Sequence, residues 1–164
     1  ALNTLVISRV INDYLTSAQA DRVGRDMELA DGLFFVAGPS DLRVLVIHHP
    51  LAPPPDGSGD RAMPGARAVL DAASRMGVDL ILGGHHHRAY AGVEQGIPIV
   101  ESGTTTSRRG RGGERGKNTC NVVRIESDRI EVTPWMFAPD QGRFTPLETR
   151  ALPRRGAVEP AATG

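Results

Sequence analysis

The chain has 164 residues, 40% of them hydrophobic, and its 19 Lys+Arg balance its 19 Asp+Glu. That length suits one domain with a sizeable core, and the composition excludes a disordered class. Zero net charge excludes a globally basic nucleic-acid binder, so any phosphate recognition must come from local charge. A single cysteine, Cys120, excludes an internal disulfide and a thiolate metal cluster, and it points to a reducing, cytoplasmic setting. No apolar run approaches the roughly 20 residues of a membrane span, and no secretory signal opens the chain.

Residues 2–10 are strand-like from the outset, rich in Leu, Val and Ile. A helix is expected after Thr16-Ser17, running to about residue 30. Residues 33–36 (LFFV) read either as a short buried strand or as the tail of that helix. Residues 42–47 (LRVLVI) form a β-branched strand that runs straight into His48-His49-Pro50. A Pro- and Gly-rich loop over 52–60 follows, then a helix over 62–76 with Pro64 in its first turn and Gly77 at its stop. Residues 78–82 form a second buried strand, which ends at Gly83-Gly84-His85-His86-His87. Hairpins are expected about Gln95-Gly96 and between residues 121–125 and 129–133. Between them lies a basic, glycine-rich loop at 107–117. The domain is expected over residues 1–145, and residues 146–164, rich in Pro, Ala, Gly and Arg, read as a disordered tail.

All five histidines fall in two clusters, each directly after an apolar strand. The carboxyl ends of parallel strands are where α/β sheets build their sites, and two such ends can converge. In extended backbone His85 and His87 share one side while His86 takes the other. Imidazole is a common ligand for Zn, Fe and Mn. His48, His85 and His87 are therefore the metal-ligand candidates, with His49 and His86 directed away as neighbours. Asp79 is a candidate for capping or for supporting a ligand from behind. Asp56 and Asp60 are loop carboxylates that could approach the site. The basic loop is either a solvated hairpin loop or an attractor of anions, and without interleaved aromatics it is a poor nucleic-acid reader.

These motifs resemble the calcineurin-like metallophosphoesterases. That family ends one core strand in HHP or HxP and a later one in GHxH, matched here by His48-His49-Pro50 and Gly84-His85-His86-His87. Asn3-Thr4, residues 15–19 (LTSAQ), Gly103-Thr104 and the Asn118, Asn121 pair are also similar to family segments. The resemblance covers about residues 1–138. It implies an α/β fold of two facing β-sheets flanked by helices. It also implies two divalent ions (Mn, Fe or Zn) and hydrolysis of a phosphodiester or phosphomonoester substrate. By position, His48 and His85 would bind one ion and His87 the other. The family's upstream D-x-H, G-D and G-N-H-D/E motifs do not occur ahead of His48 in this chain. The resemblance therefore implies either the C-terminal portion of a longer enzyme, in keeping with a strand-like start at Ala1, or a metal- or phosphate-binding module that has lost catalysis.

Overall fold

The computed structural model describes residues 4–9, 42–53, 61–107 and 109–155, with backbone alone for the first segment. The helix expected after Thr16-Ser17, residues 33–36, and both Asp56 and Asp60 lie outside the described residues.

Among the described residues nine strands form two sheets. In the first, β1 (Thr4–Arg9), β2 (Leu42–Ile47), β3 (Leu80–Gly83) and β5 (Ile97–Glu101) run parallel in that order, and β4 (Tyr90–Glu94) closes the edge antiparallel to β5. In the second, antiparallel sheet, β7 (Arg129–Ala138) pairs with β6 (Thr119–Ile125) on one side. On its other side it pairs with β8 (Arg143–Pro146) and β9 (Arg150–Pro153).

Side-chain alternation along β2 and β3 divides the core in two. Leu45, Ile47 and Ile81 face one way, into a cluster with Val69, Leu70 and Ala73 of helix α1 (Ala66–Arg75). Leu42, Val44 and Leu80 face the other way, into a cluster with Ile130, Val132 and Leu152 of the second sheet. The first sheet is buried on both faces, which is why its strands read as nearly continuous apolar runs. The result is a layered α/β sandwich of two sheets with a helix on the outer face of the first. This agrees with the α/β, two-sheet class expected from the sequence. Among the described residues no helix is long and apolar enough to cross a membrane.

Helix α1 is shorter than the 62–76 expected. Met63 is held in a turn instead, its N–H donating to Pro50 O and its carbonyl accepting from Ala66 N. The C-terminal stop lies where Gly77 permits it, at φ +69°, with Gly77 N donating to Ser74 O. The hairpin about Gln95-Gly96 forms as expected, with φ of +51° and +75° at the two turn residues, the signature of a type I′ turn. The disordered reading of 146–164 fails over 150–153. There β9 pairs with Arg129–Val132, and Leu152 is 6% exposed in the core between the sheets. One buried leucine and a strand ladder outweigh the Pro- and Arg-rich composition around them.

Candidate functional site

Three parallel strands deliver their carboxyl ends to one edge of the first sheet. The parallel register of β2 with β3 and of β3 with β5 sets His48, Gly84 and Glu101 at neighbouring strand exits. A hydrogen bond from Gly84 N to His48 O, 3.2 Å, ties the first two exits together, and one from Ser102 N to Gly83 O, 3.0 Å, ties in the third. The two histidine clusters, 36 residues apart in the chain, are thereby brought together.

The rings of His48 and His85 lie 5.4 Å apart between centroids, those of His49 and His85 5.3 Å, and those of His48 and His49 5.4 Å. Two imidazoles that share a tetrahedral ion at ~2.0–2.1 Å per nitrogen have centroids roughly 5 Å apart. The pairs therefore have the spacing of ligands. Their number falls short, because among the described residues no group of three or more His, Cys, Asp or Glu is placed to hold an ion. The described residues fit a metal as partial donors, not as a complete set. His48, His85 and His87 also line one cavity of about 470 Å³, together with residues 102–105.

Two expectations change. His49 does not point away: it is 1% exposed and its ring packs on His85. The chain bends at residues 48–49, so the alternation of a strand does not apply there. The backbone of the second cluster is not extended either. His85 and His87 adopt φ of +73° and +56°. The left-handed region costs a non-glycine residue about 1–2 kcal/mol, and such strain gathers at functional sites. His86 is 3% exposed, and its Nδ1 lies 3.0 Å from Glu101 Oε2.

Burial lowers the pKa of His85 below the usual histidine value, and the neighbouring His49, His48, His86 and Arg111 lower it further. A neutral imidazole keeps the lone pair that a metal or a proton would take. Burial raises the pKa of Glu101, against the opposing pull of His86 and Arg88. His87 Nδ1 is buried and has no hydrogen-bond partner among the described residues.

Glu101 was not singled out by the sequence reading. Its signal was a carboxylate closing the otherwise apolar strand IPIVE, at a third strand exit beside the other two. Asp79 belongs elsewhere. It precedes β3 at the opposite end of the sheet, its Oδ2 accepting from Arg43 N and its own N–H donating to Arg43 O, both at 2.9 Å. It thus bonds to the backbone of β2, roughly 20 Å of strand from His85.

The basic loop is not a free hairpin loop. Arg111 N donates to His87 O, and Glu114 accepts from Ala89 N and from the Thr119 hydroxyl. Asn118 Nδ2 donates to Ser107 O at 3.0 Å. The loop is thus folded against the GHHH turn. Gly103 is required for this, since a Cβ there would fall 1.8 Å from Thr119 Oγ1.

No family model matches the chain, and no curated protein matches it either. Some solved structures are partly similar. A dimetal phosphatase from Danio rerio shares 12% identity at a TM-score of 0.49, over 85% of this chain and 38% of its own. A predicted phosphoesterase from Streptococcus pneumoniae shares 16% at 0.42, over 79% and 91%. Vacuolar Protein Sorting 29 from Cryptosporidium parvum shares 12% at 0.43, over 66% of this chain and 51% of its own, so the chain spans about half that protein's length. These likenesses assign neither a family nor an activity to the chain.

Proposed function

We propose that this chain carries the imidazole side of a divalent-metal site for phosphoester hydrolysis, acting on a phosphodiester or phosphomonoester of a small molecule. One observation carries the reading: histidines from two strand exits, His48, His49 and His85, pack within 5.3–5.4 Å of one another beside a cavity that His87 also lines. Strained backbone at His85 and His87 supports it, as does a His85 ring held neutral by burial. In this reading the Ser102–Thr105 wall orients the substrate, and the folded basic loop supplies positive charge near it. Ions of the Mn, Fe or Zn type, when bound, supply charge opposite the phosphate and an activated water. Carboxylate ligands to complete a pair of ions would come from residues other than the histidines. The reading also puts the protein in the cytoplasm, on the strength of the lone free thiol of Cys120.

A non-catalytic metal- or phosphate-binding module is the second reading. It is favoured by the incomplete ligand set among the described residues. Calorimetric titration with Mn(II) and Zn(II), beside turnover of an aryl phosphodiester, separates the two. The chain itself is expected to bind metal weakly and to turn over slowly or not at all, with both lost in a His48→Ala, His85→Ala variant. Turnover that depends on bound metal would support the hydrolase, and metal binding without turnover would support the binding module. Metal binding undiminished in the double variant would overturn both readings.

A further inference from the structure

A second cavity, of about 530 Å³, opens between the edge of the first sheet and the second sheet, and it shares no lining residue with the histidine cavity. That volume falls in the range of small-molecule sites, roughly 300–1,000 Å³. Its lining combines three kinds of group. Arg88, Arg111 and Arg150 contribute positive charge, and Arg88 is only 8% exposed. Tyr90, Val132 and Pro134 contribute flat and apolar surface. Asn121 contributes an amide whose Nδ2 donates to Glu101 O at 2.9 Å, while its Oδ1 is buried with no hydrogen-bond partner among the described residues.

Two carboxylates also line the cavity, Glu114 and Glu148. Glu114 has both oxygens occupied by donors in the wall, Ala89 N–H and the Thr119 hydroxyl. Glu148 is exposed at the rim. Arg150 anchors the rim by donating to Ala91 O at 2.6 Å, and Arg88 lies near enough to the buried Glu101 to pull its pKa down. The lining thus holds three arginines, and of its two carboxylates Glu114 is already met by donors in the wall. Arginine's planar fork suits carboxylate and phosphate groups.

We infer that this cavity binds a small organic anion, phosphate or carboxylate, joined to a flat ring that carries an N–H or O–H donor. The arginines take the anionic group, Tyr90 and Pro134 cover the ring, and the ring's donor meets Asn121 Oδ1. A buried acceptor left unmet is costly, so a donor is the group this wall lacks. The inference does not depend on the metal reading, because no histidine of the cluster lines the cavity.

The test is calorimetric titration of the chain in EDTA-containing buffer, with AMP as the phosphate probe, 4-aminobenzoate as the carboxylate probe and adenosine as the neutral control. Binding of AMP, of 4-aminobenzoate or of both at one site per chain, weakening as salt rises, is the expected result, and it names the anionic group. The Arg111→Gln, Arg150→Gln variant, with both changes at exposed positions, should weaken that binding by about tenfold or more, as loss of charge-assisted hydrogen bonds requires. The His48→Ala, His85→Ala variant should bind as the unmutated chain does. No binding of either anion at millimolar concentration would overturn the inference. Adenosine binding as tightly as AMP, or unchanged affinity in a double-arginine variant with unaltered circular dichroism, would do the same.

Discussion

Glu101 and His86 form a buried polar contact near the strand exits, with side chains 2% and 3% exposed. Glu101→Ala would leave His86 Nδ1 buried without its partner, and a loss of about 2–3 kcal/mol in urea unfolding is expected. Glu101→Gln keeps an amide beside Nδ1 and should cost less than half as much. Equal losses for the two variants would show that the contact contributes through volume and not through hydrogen bonding. Tyr90 offers a second check. Burial first, then Glu94 and Glu101, raise its phenol pKa above the ordinary 10.0. A group with a raised folded pKa contributes stability that is present below its unfolded pKa and is lost as pH rises through the folded one. Stability should therefore fall more steeply above pH ~10 in the unmutated chain than in Tyr90→Phe. In an ultraviolet titration a tyrosine step above the ordinary value should vanish in that variant. Glu101 is inconspicuous in the sequence because one carboxylate at a strand end is ordinary, and its importance arises only from a histidine 15 residues away in the chain.

Elements whose form is set by near neighbours were readable directly. The Gln95-Gly96 turn is an example, since two consecutive positive-φ residues between apolar strands are a local matter. Gly96→Ala should cost about 1 kcal/mol, measured as a shift in thermal midpoint. Nothing lies within 4 Å of the added Cβ, so the cost is backbone strain alone. A larger loss would mean that the turn contacts residues outside the described set. Strand β2 was readable over residues 42–47 because β-branched residues and a buried sheet position agree there. Helix α1 was misjudged at its start because Met63 bonds to Pro50, 13 residues back, which no helical period reveals. The His85–His87 segment was read as extended. Its two left-handed residues instead answer to Gly84 and His87 being hydrogen-bonded to His48 and Arg111.

For the whole molecule, Leu152 joins the last strand to the core between the two sheets. Leu152→Ala should destabilise the protein by about 2–4 kcal/mol, read from the denaturant midpoint at constant slope. A change below about 0.5 kcal/mol, typical of surface positions, would return residues 147–153 to the disordered tail that composition suggested. The strand over residues 42–47, the Gln95-Gly96 turn and the placing of all five histidines after apolar strands follow from residue type and spacing alone. Each depends on side-chain period and backbone preference within a few residues. The meeting of His48 with His85, the inward turn of His49 and the burial of Glu101 against His86 were decided by tertiary structure. So were the folding of the basic loop onto His87 and the capture of Leu152 by the second sheet. Each of these joins residues far apart in the chain, where the energy lies in packing and hydrogen bonds that exist only once the sheets have assembled.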